Sequence, residues 1–277
     1  MTSTTLLESK TEDVARFTSV DRQADPGFFV EFCDAGNALP DIQSVKRGMT
    51  GQLGLRDGLS LLDVGCGTGD DVRKLAQVIG TRGRVVGVDV SGAMIAEAKR
   101  RHRNSRLSLQ FLEGSAQDLL FPDSTFDRCR TERMLMHVEQ PEQALREMVR
   151  VVKPGGKVVA FELDGDTVFA DHPQRTTTRK VAHSLRDGIK NGWIGSSLPR
   201  LFRAAGLRDI VSVPHAVRID CSFAHRLFDG HLKRAQGAGS ISAAELATWW
   251  SYLEQAEAAG GFHAGFLGYI VAGKKPV

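Results

Sequence analysis

The sequence predicts an α/β fold: a Rossmann-like, seven-stranded, mostly parallel sheet with helices on both faces and an added helical lid. Three observations point to it. Apolar, β-branched runs alternate with helical patterns through the middle of the chain. A glycine-rich turn follows the first of those runs. The alternation then breaks after Asp166. Strands that alternate with helices need right-handed crossovers, and these build a parallel sheet.

Taken in order, residues 1–10 are Ser/Thr-rich and are expected to be unstructured. Residues 11–56 read as helices broken near Asp25-Pro26-Gly27 and Leu39-Pro40. Strands are expected at 59–64, 84–90, 107–112, 126–130 and 157–163. Helices separate them at 70–79, 93–103 and 141–151, with a shorter one at 132–138. Pro154-Gly155-Gly156 is a turn that feeds the fifth strand. Beyond it, 167–192 reads as an inserted helix and 197–205 as a helix closed by Gly206. A strand at 209–217, helices at 221–236 and 242–258, and a last strand at 266–274 complete the chain. Residues 1–50 therefore form an N-terminal helical lid segment. Residues 51–277 form the main domain, with helical insertions near 167–192 and 221–258.

Length and composition fit one generous globular domain with an ample core. A net charge of +3 is too small to imply a nucleic-acid or membrane partner. Cys33, Cys66, Cys129 and Cys221 are widely spaced, with no C-x-x-C pair, so neither zinc nor a redox motif is suggested. They read as reduced thiols in a cytoplasmic protein. Residues 1–18 lack the apolar core of a signal peptide, and no apolar run is long enough to span a bilayer.

The strongest local signal is Leu61-Leu62-Asp63-Val64-Gly65-Cys66-Gly67-Thr68-Gly69-Asp70, placed after an apolar strand and opening a helix. Such glycines permit a tight turn and a close ligand. Dinucleotide-binding folds share a G-x-G pattern, so the glycines alone do not decide. Asp70 stands where the dinucleotide fingerprint wants its third glycine, and a pyrophosphate there would meet a negative charge. Asp63 adds a second acid. The ligand is read as cationic and free of phosphate. Asp70 also suits plain helix capping. A second signal is Val85-Val86-Gly87-Val88-Asp89-Val90-Ser91, with Asp89 about 20 residues past the glycines, where an acid can accept from both ribose hydroxyls. Ser91 reads as the N-cap of the next helix.

Leu-Asp-Val-Gly-Cys-Gly-Thr-Gly, Gly-Val-Asp-Val-Ser, Phe-Asp and Lys-Pro-Gly-Gly together resemble the class I S-adenosylmethionine-dependent methyltransferases. The likeness is greatest to the small-molecule group around the ubiquinone and menaquinone biosynthesis enzymes, over about residues 40–165. The resemblance implies S-adenosylmethionine as cofactor. It implies that Gly65, Cys66 and Gly67 line its methionine and ribose portions, that Asp89 holds the ribose diol, and that Val90 and Met94 flank the adenine. Glu113-Gly114-Ser115-Ala116-Gln117-Asp118 matches a family stretch whose first Asp often meets the adenine amino group. Ser115 stands there instead, so Ala116 and Gln117 are expected to share the task. Thr131 is expected near the sulfonium.

Methyl transfer from a sulfonium is an in-line displacement governed by alignment and desolvation. A base is needed when the acceptor must lose a proton. His137 is one candidate, because the related enzymes often have His in this stretch and its ordinary pKa suits the task. A packing histidine bonded to backbone is an equal reading. Glu162, Asp164 and Asp166 cluster at the end of the fifth strand, with Asp164 the best placed of them. Turn and capping roles compete for all three. Arg47, Arg130 and Arg133 are candidates for a substrate acid or the cofactor carboxylate, against ordinary salt bridging. The run Lys99-Arg100-Arg101-His102-Arg103 fits a helix C-terminus better than an RNA site, and Thr131-Glu132-Arg133-Met134 lacks the Asn/Asp-Pro-Pro-Tyr of enzymes that methylate bases. Trp249, Trp250, Tyr252 and the stripe Phe28, Phe29, Phe32 read as core or as an aromatic lid. The expected activity is methyl transfer to a small, apolar or aromatic metabolite through oxygen, carbon or nitrogen. The alternatives are a cyclase-like enzyme that uses the pocket as a template, a cofactor-binding regulator, and a nicotinamide-dependent oxidoreductase, which Asp70 disfavours.

Overall fold

The structure, a computed structural model, describes residues 13–277. The stretch expected to be unstructured, 1–10, lies outside them.

Seven strands form one sheet in the order β3-β2-β1-β4-β5-β7-β6. β1 (Ser60–Val64), β2 (Arg84–Asp89), β3 (Leu109–Glu113), β4 (Phe126–Glu132) and β5 (Val152–Ala170) pair in parallel. β7 (Ala264–Lys274) runs antiparallel between β5 and β6 (Arg208–Ile219). β1 is central and buried on both faces, which is why it reads as a continuous apolar run rather than an alternating one. The strand order reverses between β1 and β4, and open α/β sheets bind ligands at the carboxyl ends of strands at such a point.

The crossover helices follow their apolar periodicity. α3 (Asp70–Ile79) buries Val72, Leu75, Ala76 and Ile79, and α5 (Pro141–Val151) buries Ala144, Leu145, Met148 and Val151. Each such Leu or Val contributes about 1.5–3 kcal/mol when fully buried. α4 (Gly92–His102) is capped by Ser91, whose Oγ accepts from the Met94 N–H at 3.2 Å. Before the sheet come a short 3-10 segment (Val14–Arg22), α1 (Pro26–Ala38) and α2 (Pro40–Leu53), with the Pro residues at helix starts. The lid boundary expected at residue 50 falls inside α2. α6 (Arg175–Gly188) and α7 (Ile194–Ala204) lie between β5 and β6. α8 (Cys221–Gly237) and α9 (Ala243–Ala258) lie between β6 and β7.

Two local expectations are corrected. No helix forms at 132–138: β4 continues through Glu132, and the chain then turns irregularly to Gln140. Arg133 adopts a left-handed φ of +53°, which a non-glycine residue does not carry within a helix. The helix expected from 167 starts at Arg175, because Phe169 and Ala170 still pair with Gly265 and Ala264. A register shift after Asp164 lets the strand absorb the residues between.

Candidate functional site

A cavity of about 360 Å³ opens at the carboxyl ends of β1, β2 and β4. Asp63, Gly65, Cys66, Gly67, Asp89, Val90, Met94, Ser115, Ala116, Gln117 and His137 all line it. Two of the predicted residues do not. Thr131 is fully buried within the sheet, its register partners being Val64 and Ala160. Successive strand residues face opposite sides, so its neighbours Arg130 and Glu132 line the cavity and Thr131 points away. The Asp164 carboxylate accepts from the Ser196 and Asp166 N–H groups at 3.0 and 3.1 Å, satisfying the first turn of α7. It is a capping acid and sits outside the cavity wall.

The loop after β1 is held from β2. Gly65 and Cys66 N–H donate to the Val88 carbonyl at 2.7 and 3.0 Å, and Gly67 N–H donates to Asp89 Oδ2 at 2.9 Å. Asp89 Oδ1 accepts from Ser91 N–H at 3.0 Å. Burial raises the Asp89 pKa against these hydrogen bonds. The glycines divide in purpose. Gly65 (φ +76°) has no room for a side chain, since a Cβ would stand 2.5 Å from Met134 Cγ. Gly67 (φ +51°) meets nothing within 4 Å on that side and faces open cavity. The close approach that a ligand needs is therefore at Gly67.

The acids around the loop are matched by cations. Lys46 Nζ lies 2.9 Å from both oxygens of Glu132 and pairs with Asp71. Arg130 approaches Asp63 at 3.4 Å, Asp71 at 3.3 Å and Glu132 at 2.5 Å. Arg133 bonds Glu132 Oε1 and Asn37 Oδ1, both at 3.0 Å. Burial pushes the Asp63 carboxyl up to about 7, although Arg130 opposes it. Burial also works against the Glu132 charge, but Lys46, Arg133 and Arg130 hold its pKa well below the carboxylate range. Asp70 accepts from Thr68 Oγ at 3.2 Å and pairs with Arg101 at 3.0 Å. The negative charge read from Asp63 and Asp70 is thus largely compensated within the fold, and charge alone is a weaker guide to the ligand than it looks in the sequence.

Lys46 was missed because lysine is usually a surface residue. A signal was present: it lies on the buried stripe of α2 with Ile42, Val45, Met49 and Leu53. Its neighbour Arg47, a candidate from sequence, is exposed.

The rest of the wall is apolar. Phe17, Phe32, Leu163, Phe223, Leu227 and Phe266 line it from the N-terminal segment, β5, α8 and β7. The Phe17 ring lies 5.2 Å from His137 and 5.9 Å from Phe32, which stacks on Phe223 at 5.1 Å. His137 Nδ1 is buried without a hydrogen-bond partner. Burial, with the charges of His231 and Arg133, lowers its pKa to about 4. Trp249 is buried away from the cavity and donates to Thr178 Oγ at 3.1 Å, so the Trp pair packs the α6–α9 region. Arg100 and Arg101 of the basic run are paired with Glu97, and Arg101 also grips Asp34 through two bonds of 2.8 Å. No helix among the described residues is long and apolar enough to cross a membrane.

Comparison with known proteins agrees with this geometry. Residues 62–160 match the family model described as a methyltransferase domain. The chain is 34% identical to an uncharacterized 37.1 kDa protein in transposon TN4556 of Streptomyces fradiae, over 96% of this chain and 77% of that one. It is 40% identical to the demethylmenaquinone methyltransferase of Halalkalibacterium halodurans, over 60% of this chain and 74% of the relative. Among solved structures, the YcgJ protein of Bacillus subtilis shares the fold with a TM-score of 0.60 at 20% identity, covering 85% of this chain and 99% of that one. The chain belongs to the class I S-adenosylmethionine-dependent methyltransferases. Its cofactor is S-adenosylmethionine, and the open face of Gly67 beside the buried Asp89 carboxylate fits a nucleoside ribose.

Proposed function

We propose that this enzyme methylates a small apolar or aromatic metabolite that carries one ionisable or hydrogen-bonding group. The observation that carries this reading is the cavity wall: aromatic and aliphatic on one side, with the half-buried His137 imidazole set into it. An apolar acceptor gains from such a wall, and the imidazole gives its polar atom a partner among the apolar groups.

In this reading Asp89 accepts from the ribose diol. Gly65, Cys66 and Gly67 flank the ribose and methionine portion. Val90 and Met94 enclose the adenine, whose edge is met by Ser115, Ala116 and Gln117. Asp63 lines the cavity at the start of the loop and faces Arg130. Bound S-adenosylmethionine supplies a methyl carbon on a cationic sulfur that departs as a neutral thioether. The chain supplies alignment, dryness and a proton acceptor. A hydroxyl that gains a methyl group becomes strongly acidic, so even a weak base removes its proton. His137, neutral at pH 7 because of its lowered pKa, accepts it on the imidazole. The N-terminal segment and α8, which supply Phe17, Phe32 and Phe223, act as the lid.

The test has two arms. Calorimetric titration with S-adenosylmethionine, S-adenosylhomocysteine and NADH is expected to show binding of the first two. Methyl-labelled donor is then supplied with a panel of apolar phenols, quinols and amines, and label is expected in a phenolic or quinol product. Transfer confined to hydrophilic amines or carboxylates would overturn the apolar assignment.

A further inference from the structure

The loop that carries His137 has one internal backbone bond of note, from His137 N–H to the Met134 carbonyl at 2.9 Å. Six further backbone groups between Met134 and Val138 are bonded from outside by two residues that do not line the cavity. Glu162, at the end of β5 and fully buried, receives the N–H groups of Met134, Leu135 and Met136 at 3.0, 2.7 and 3.3 Å. Asn191 takes the opposite side. Its Nδ2 donates to the carbonyls of Leu135 and Val138 at 3.0 and 2.8 Å, and its backbone N–H donates to the Met136 carbonyl at 3.0 Å. One side chain collects three N–H donors of the loop and one residue covers three of its carbonyls.

Asn191 is itself anchored to the same strand end. Gly165 N–H donates to the Gly192 carbonyl at 2.6 Å, and the Asp164 carboxylate receives Ser196 N–H. A Cβ on Gly195 would stand 2.8 Å from the Leu163 carbonyl. The segment between α6 and α7 is thus bound to β5 and reaches across to the loop after β4.

We propose that Glu162 and Asn191 are positioning residues, a two-sided clamp that sets how far His137 and Met134 project into the cavity. The inference rests on the assignment of His137 made above. It gives Asn191 a part in the chemistry through the loop, while its neighbours Ile189 and Lys190 line the cavity directly. A clamp made of hydrogen bonds to successive backbone groups fixes a loop more tightly than apolar packing, because each bond has a direction.

The experiment uses the full chain with Asn191→Ala, Asn191→Asp and Glu162→Gln. Asp at 191 keeps the shape but turns a donor into an acceptor facing two carbonyls. Four quantities are read: thermal unfolding, S-adenosylhomocysteine affinity, amide exchange of 134–138, and the His137 imidazole by nitrogen-15 NMR. The groups facing that ring are Phe17, Arg133 and His231, and none is altered. The expected result is a folded protein whose S-adenosylhomocysteine affinity stays within about threefold, with Leu135 and Met136 amides exchanging at least about tenfold faster. The His137 titration moves up from about 4 toward the ordinary 6.5 as the ring leaves its buried position. With an acceptor in hand, kcat falls while KM for the cofactor holds. Unchanged His137 shifts and titration in folded Asn191→Ala and Asn191→Asp would overturn the clamp. Should Glu162→Gln not fold, the two Asn191 variants decide alone. Failure of the His137 assignment is read separately, as wild-type turnover in His137→Ala.

Discussion

Lys46 Nζ sits 2.9 Å from both carboxylate oxygens of Glu132, joining a helix that precedes the sheet to the carboxyl end of β4. Both side chains are nearly inaccessible. Removing one member of a buried pair leaves the other charge without compensation, at a cost of about 3–5 kcal/mol. Lys46→Met is therefore expected to lower the unfolding free energy by about 3 kcal/mol in urea titrations. Lys46→Met combined with Glu132→Gln should recover part of that loss. Equal stability of Lys46→Met and the parent would mean that Arg130 and Arg133 suffice for Glu132.

Asp89 has two tasks, holding Gly67 N–H and offering its carboxylate to the cavity. Charge-assisted hydrogen bonds are worth about 1.5–3 kcal/mol each, so Asp89→Ala should weaken S-adenosylhomocysteine about 10- to 100-fold or more by calorimetry. A variant that binds as tightly as the parent would move the ribose elsewhere.

His137→Ala is expected to cut turnover about tenfold or more, with S-adenosylhomocysteine affinity unchanged. The comparison is made in single-turnover experiments with labelled donor, which separate chemistry from binding. A loss confined to acceptor KM would reduce the ring to a packing surface.

Burial pushes Glu162 up to about 8, above its ordinary 4.5, even though three backbone N–H groups favour its charged form. Between those values the folded protein keeps a proton that the unfolded chain has released. The resulting stability is complete below about pH 4.5 and is lost as pH rises through about 8. Between pH 7 and 8 Asp63, raised to about 7, adds a smaller slope of the same sign, and His137 and His231, lowered to about 4, oppose it slightly because the unfolded chain still holds part of a proton on each. Glu162 should therefore remove about 1 kcal/mol of unfolding free energy across that unit, and Glu162→Gln should show a profile flatter than the parent by about that amount.

Asp21, in the N-terminal segment, binds the start of α4 from outside that helix. Its carboxylate accepts from Ser91 Oγ at 2.6 Å, Gly92 N–H at 2.8 Å and Ala93 N–H at 3.0 Å. This is a helix cap supplied from afar, of about 1 kcal/mol. It also closes the segment beside Asp89. Asp21→Ala should lower the melting temperature slightly and raise the dissociation rate of S-adenosylhomocysteine in stopped-flow measurements. An unchanged rate would separate the cap from ligand exit.

The sheet and its crossover helices were legible because they obey two periodicities: α3 and α5 occupy the residues their apolar spacing indicates. The loop from Asp63 to Gly67 and the acid at Asp89 were legible because local turn chemistry demands them. What was not legible depends on contacts between distant segments. The helix expected at 132–138 fails because Glu162, some 28 residues on, takes its N–H groups. Asp164 looks catalytic until Ser196 is seen on its carboxylate. Lys46 is visible only as a charge on an apolar stripe, whose partners at Asp71 and Glu132 come from two other elements.

The alternation along β4 carries one more consequence. Arg130 and Glu132 belong to one phase of the strand and Thr131 to the other. Inserting a single residue before Arg130 would keep every amino acid and reverse the phase. The guanidinium would then be driven into the hydrocarbon side of the sheet, a hydroxyl would face the cavity, Lys46 would lose Glu132 and Asp71 would lose Arg130. Composition would be almost untouched and the site would be gone. What β4 contributes to this enzyme is less a set of residue types than their parity.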